Sequence, residues 1–159
     1  AREQLKKLGT LNKHRLELVE ALSERLAKIS FLTVPSGRRD CLSTYYVYPL
    51  LFEESSVGVS RSTFVSAVNG EGALFYEGYV RPLYLQPVYQ QKVLFKHGYP
   101  FSAIENQGSV ADYREGLCRT AETLHSLKMI INEHIRFPHT LEDIDELAMC
   151  VEKVADNTL

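Results

Sequence analysis

The first thirty residues carry apolar side chains on two faces of one helix, and this constrains the fold more than any other stretch. Leu8, Leu11, Leu18, Leu22 and Ile29 step by three, seven, four and seven, which sets them on one stripe. Lys13, Glu17, Glu20 and Lys28 fall largely off it. Leu16, Val19 and Leu26 form a second apolar set and widen the face to be buried. A helix apolar on two sides needs packing on two sides. One small domain supplies that poorly, so the pattern predicts a neighbour beyond this chain. Gly9-Thr10 is expected to divide the stretch in two, because Gly costs about 1 kcal/mol in a helix interior. The chain also opens with Ala1 rather than Met, which reads as a piece trimmed from something longer.

The remainder supplies one ordinary domain. A chain of 159 residues is long enough for a real core, burying roughly 70% of the surface its unfolded form exposes. Hydrophobic residues at 45% and charged residues at 24% exclude a disordered chain. No apolar run approaches the ~20 residues that span a bilayer, and the polar opening is not a secretory signal. No membrane partner is therefore expected. Eighteen Lys and Arg against 20 Asp and Glu leave a formal charge of -2, which gives no electrostatic footprint for nucleic acid. Cys41, Cys118 and Cys150 are odd in number and widely spaced, as reduced thiols of a cytoplasmic protein would be.

Residues 33–40 read as a loop around Pro35 and Ser36-Gly37. Residues 41–52, CLSTYYVYPLLF, are the best strand in the chain by aromatic and β-branched content. Pro49 within it points to an edge or a bulge. Residues 60–70 read as a short helix, capped by Ser60 or Ser62, with Phe64, Val65 and Val68 inward and Asn69-Gly70 ending it. Residues 73–77 form a short strand. Gly78 to Gly108, with Pro82, Pro87 and Pro100, is a long loop holding one short helix near 86–95, and loops of that length tend to be functional. Helical spacing resumes at 116–128 through Leu117, Ala121, Leu124 and Leu127, followed by a strand at 129–136. Thr140 caps a last helix whose first turns carry Glu142, Asp143 and Asp145, and whose inner face is Ile144, Leu147, Ala148, Val151 and Val154. The order predicts an α+β domain: a small, mostly antiparallel sheet of about three strands with helices on one face. Residues 1–30 read as a helical segment that links to an absent domain, and 31–159 as the α+β domain itself.

Few residues carry obvious chemistry. The histidines lack metal-ligand spacing, and the phosphate-binding glycine motifs and the G-x-S-x-G and H-E-x-x-H signatures are missing. Cys118 follows a glycine near a helix start, a place where thiol reactivity can arise. The segment GYVRPLYLQPVY at 78–89 is richer. Arg81 offers a planar donor fork for phosphate or carboxylate. Tyr79, Tyr84 and Tyr89 offer ring faces and hydroxyls, and Gln86 an amide, a mix that suits a sugar or nucleotide. The same segment also reads as a Tyr/Pro loop packed on its own domain or on a partner.

Here the chain resembles a family. RPLYLQPVY is similar to the proline-rich P-P-L-H-L-Q-P-x-Y loop of the DegT/StrS sugar aminotransferases. EQLKKLGTLNKHR resembles the helix that follows their large domain, STYYVYPLLF their first small-domain strand, and SRSTFVSAVNGEG the element after it. CRTAETLHSLKMIINEHIR is similar to C-P-V-A-E-x-L and the strand beyond, and HTLEDIDELAMCVEKV to the closing helix. The likeness runs in order through nearly the whole chain.

The resemblance implies fold type I enzymes that use pyridoxal 5'-phosphate. They move an amino group from glutamate or glutamine to a keto sugar or keto cyclitol, often nucleotide-linked, and work as homodimers. Their cofactor lysine lies in a large N-terminal domain in an S-x-x-K context, which none of the eight lysines here has. On this likeness the chain is the C-terminal small domain, without catalytic residues or cofactor of its own and inactive alone. Arg81, Tyr84 and Gln86 are its candidate substrate contacts. Two residues depart from the pattern: Tyr84 stands where the loop usually has His, and Arg119 where Pro follows the later cysteine. A different reading of the same residues is a stand-alone binding or dimerisation module without catalysis.

Overall fold

The computed structural model describes residues 1–106, 108 and 112–158. Its core is a four-stranded antiparallel sheet covered on one face by three helices. The strands are β1 (Leu32–Thr33), β2 (Tyr48–Phe52), β3 (Tyr76–Glu77) and β4 (Met129–Asn132), in spatial order β1-β2-β4-β3. The helices on the core are α2 (Leu8–Leu26), α3 (Arg61–Gly70) and α6 (Leu141–Asp156). Three shorter ones complete the set: α1 (Arg2–Leu5), α4 (Pro87–Gln90) and α5 (Arg119–Thr123). No described helix is long and apolar enough to cross a membrane.

The sheet has one strand more than the sequence predicts. β1 is two residues long, in a stretch that reads as the start of a loop. Its worth lies in its neighbour Phe31, 1% exposed. Phe31 meets Phe52 and Phe64 at centroid distances of 5.7 and 5.5 Å, both edge to face, the arrangement that aromatic quadrupoles favour.

β2 is shorter than expected. Only Tyr48–Phe52 pairs, because Tyr45 adopts a positive φ of 46° just before it, which an extended strand cannot contain. Tyr48, Leu50 and Phe52 alternate inward as a half-buried strand requires. Although β2 is an inner strand, β1 reaches only Leu51 and Phe52. Pro49 therefore lies where that side has no ladder, which is how an inner strand tolerates a residue without an N–H.

The N-terminal stripe divides by depth. Leu18, Val19, Leu22 and Leu26 are buried in the common core, whereas Leu8 and Leu11 are exposed. The helix breaks at Lys6-Lys7, not at Gly9-Thr10, and Gly9 sits within α2. α2 packs along α6, and Arg25 holds the pair by donating to Glu152 and, at 3.0 Å, to Asp145. α6 begins as its sequence predicts: Thr140 Oγ1 accepts from the Asp143 amide while the Asp143 carboxylate accepts from the Thr140 amide. α3 begins with Ser60, whose hydroxyl accepts from the Thr63 amide. It does not end on Asn69-Gly70 in the left-handed form. The Asn69 side chain instead bonds both backbone groups of Phe75, and the positive φ falls at Gly72.

Candidate functional site

The long loop is built, not merely spanned. It leaves β3 at Gly78, whose amide donates to the Met129 carbonyl at 2.7 Å. Gly78 has a φ of +66°, and a Cβ there would stand 2.6 Å from the His125 carbonyl oxygen, so glycine is required twice over. The His125 carbonyl belongs to Leu124–Lys128, a π-helical turn that continues α5 into β4, and Met129 opens β4 itself. Helical spacing alone predicts an apolar buried face at 116–128. Leu117 and Leu127 are exposed instead: Leu117 precedes α5, and Leu127 lies in the π-turn.

The π-turn is held by Arg61. Its guanidinium, 9% exposed, donates to the carbonyls of His125 (2.9 Å), Ser126 (2.8 Å) and Met129 (3.1 Å). Nε also donates to Glu77, which accepts from Ser62 as well. Arg61 occupies the first turn of α3, where the helix dipole disfavours a cation. That misplacement is the signal in the sequence that the side chain serves something outside its own helix. In the sequence the flanking serines Ser60 and Ser62, as cap candidates, mask it.

From Gly78 the chain runs to a turn at Leu83–Leu85 and then α4, with Leu85 buried as an anchor. Tyr84 donates its hydroxyl proton to the Glu122 carboxylate and accepts from the Cys118 amide at 3.2 Å. Both Glu122 oxygens also accept from the Gly116 amide, at 2.8 and 3.0 Å. The hydrogen bond from Tyr84 leads the causes that hold the Glu122 carboxyl below its ordinary range. Partial burial, and then Glu122, push the Tyr84 phenol up. Gln90 donates to the carbonyls of Tyr84 (2.7 Å) and Tyr113 (2.6 Å), and the rings of Tyr89 and Tyr113 lie 5.2 Å apart.

Arg81, Tyr84 and Gln86 thus sit on one loop but do different things. Gln86 turns back and donates to the Arg81 carbonyl at 3.0 Å. Tyr84 ties the loop to α5. Arg81 is exposed, and its guanidinium makes no ion pair among the described residues. Glu122 was missed from sequence although CRTAE was singled out, because its partner lies 38 residues away. Cys118 is exposed at the start of α5. A concavity of about 480 Å³ lies away from this loop, between Leu74, His134 and α6. No group of three or more His, Cys, Asp or Glu among the described residues is arranged to hold a metal. No described lysine is buried, and Lys128 and Lys153 are paired with Glu53 and Glu71. These residues do not fit a pyridoxal phosphate Schiff base.

A small antiparallel sheet with helices on one face and a long, internally braced loop is a fold found within aminotransferases. An aminotransferase from Psychrobacter cryohalolentis superposes with a TM-score of 0.72 at 17% identity, over 99% of this chain and 37% of that one. PseC of Helicobacter pylori, an aminotransferase involved in the biosynthesis of pseudoaminic acid, gives 0.67 at 20% identity, over 98% and 35%. The chain belongs to the DegT/DnrJ/EryC1/StrS aminotransferase family, whose model matches residues 1–104. It is 27% identical over 93 residues to SpsC, a spore coat polysaccharide biosynthesis protein of Bacillus subtilis, over 58% of this chain and 24% of the relative. The chain spans about a quarter of that relative and little more than a third of the two structures.

Proposed function

We propose that this chain is the C-terminal small domain of a larger aminotransferase that moves an amino group from glutamate or glutamine to a keto sugar or keto cyclitol. The observation that carries the reading is the family match over residues 1–104 in a chain that spans little more than a third of its structural neighbours' length. The acceptor is often nucleotide-linked in this reading, and the parent is a cytoplasmic homodimer. Pyridoxal 5'-phosphate, held by the large N-terminal domain, supplies the electron sink for the amino transfer. The chain alone, lacking a lysine placed for that chemistry, is inactive.

Its own residues bind and orient. Arg81 presents a donor fork at the head of the loop, without an ion-pair partner among the described residues and suited to a phosphate or carboxylate oxygen. Gln86 fixes the turn that carries Arg81, and Tyr84 fixes the loop to α5. The exposed Leu5, Leu8 and Leu11 at the start of the chain are the surface that the large domain covers. The test begins with the DNA upstream of the Ala1 codon, followed by expression of the whole frame. Amine transfer from glutamate or glutamine to nucleotide-linked keto sugars and keto cyclitols is then assayed. Arg81→Ala in that protein raises the KM for the sugar, and an unchanged KM and kcat would remove Arg81 from the site. An upstream frame without an α/β domain would sink the reading as a whole.

A further inference from the structure

We propose that Glu122 is a positioning residue that makes Tyr84 a pure hydrogen-bond acceptor toward a ligand of the 78–90 loop. The loop then selects a ligand hydroxyl or amine at that point over a carbonyl or phosphate oxygen. The inference rests on the reading that this loop faces substrate, and it adds what the loop prefers there.

A phenol has one proton to donate and two lone pairs to accept with. An ionised carboxylate only accepts, so the bond between Tyr84 and Glu122 commits the Tyr84 proton. The Cys118 amide takes one lone pair at 3.2 Å. One lone pair remains, and only a ligand donor can use it. Glu122 cannot swing away easily, because the Gly116 amide holds both of its oxygens. Nor can Tyr84, because Leu85 beside it is buried and its own carbonyl accepts from Gln90. The lowered Glu122 carboxyl keeps the acceptor ionised at neutral pH. An isolated tyrosine would rotate its proton to suit either kind of ligand atom. This one is held to a single sense by a residue that never touches the ligand.

Two measurements on the full-length protein test this. The first is amide hydrogen exchange with mass-spectrometric readout. Glu122→Gln speeds exchange in peptides covering 115–119 and 82–90 about tenfold, because a charge-assisted hydrogen bond and the anchor of the Gly116 amide are weakened. The second is the ratio of KM values for a nucleotide-linked keto sugar and for its analogues in which one hydroxyl each is oxidised to a carbonyl, the atom to which only a freed Tyr84 proton can donate. One analogue is disfavoured about fivefold by the wild type, the size of one neutral hydrogen bond. Tyr84→Phe collapses that ratio, and Glu122→Gln moves it toward the Tyr84→Phe value.

Unchanged exchange in Glu122→Gln overturns the pin. Faster exchange with an undiminished ratio in Tyr84→Phe overturns the selection. If Glu122→Gln exchanges rapidly through β2 and α6 as well, it has lost its fold. Tyr84→Phe, which removes a single oxygen, then decides alone. Altered exchange in a protein that transfers no amino group to any sugar refutes the proposed activity and the ligand selection together, and leaves the Glu122–Tyr84 pin standing.

Discussion

Replacing Arg61 by Met tests whether the π-turn is held from outside. The substitution keeps a long apolar stem and removes a guanidinium that is 9% exposed. Of the carbonyls it serves, Met129 keeps the Gly78 amide. The His125 and Ser126 carbonyls lose the donor that Arg61 gives them. Glu77 keeps the Ser62 hydroxyl at 2.6 Å. Two poorly satisfied backbone acceptors, at about 1–3 kcal/mol each and partly relieved by water, give a loss of about 3 kcal/mol. With a urea dependence of about 2 kcal/mol per M, the unfolding midpoint falls by about 1.5 M. Arg61→Lys keeps the charge but not the fork, and falls between the two. Urea unfolding followed by far-UV circular dichroism reads both. A midpoint shift under about 0.5 M for Arg61→Met would refute the reasoning, since water would then satisfy those carbonyls as well as the guanidinium does.

Three further outcomes follow from the same geometry. Gly78→Ala puts a methyl against the His125 carbonyl at a positive φ, and loses about 2–4 kcal/mol in the same urea experiment, more than a surface Gly→Ala change at Gly37. Thr140→Ala removes the side-chain cap of α6, lowers stability by about 1 kcal/mol, and speeds amide exchange at the start of that helix only. Tyr48, buried and bonded to Ser23 at 2.9 Å, has its phenol pushed up to about 12 by burial. A raised native value gives stability that is whole below the unfolded value near pH 10 and is lost as pH climbs toward the native one. The unfolding free energy read from urea titrations therefore falls between about pH 10 and 12, by roughly 3 kcal/mol, and Tyr48→Phe flattens that decline.

What could be read from the sequence was what is decided locally. The α6 start needs only Thr140 and Asp143, three residues apart, and the inner face of α3 only the spacing of Phe64, Val65 and Val68. The inner stripe of α2 was legible from Leu18 onward, where it meets α6. The misses share a cause: each depends on something distant in the chain. β1 exists because Phe31 finds Phe52 and Phe64. The strand ahead of Tyr48 fails because the chain turns at Tyr45, which its β-rich composition hides. The candidate site was legible as a loop, since Pro and Tyr spacing marks it, and Arg81, Tyr84 and Gln86 do lie on it. Its supports were not. Glu122 acts on Tyr84 across 38 residues, and Arg61 on Ser126 across 65.

The π-turn at Leu124–Lys128 also fixes a count. Glu122 stands on α5 and Met129 opens β4, with one wide turn between them. On a helix, adding or removing one residue rotates everything on one side of the change by about 100°. A single-residue insertion or deletion between Glu122 and Met129 would swing the carboxylate off Tyr84 while every side chain kept its identity. In family members that retain this tyrosine–carboxylate pair, the interval of seven positions from Glu to the start of the strand should tolerate substitution but not a change in length. The alignment gap, not the mutated residue, is then the mark by which a relative with a differently set loop is recognised.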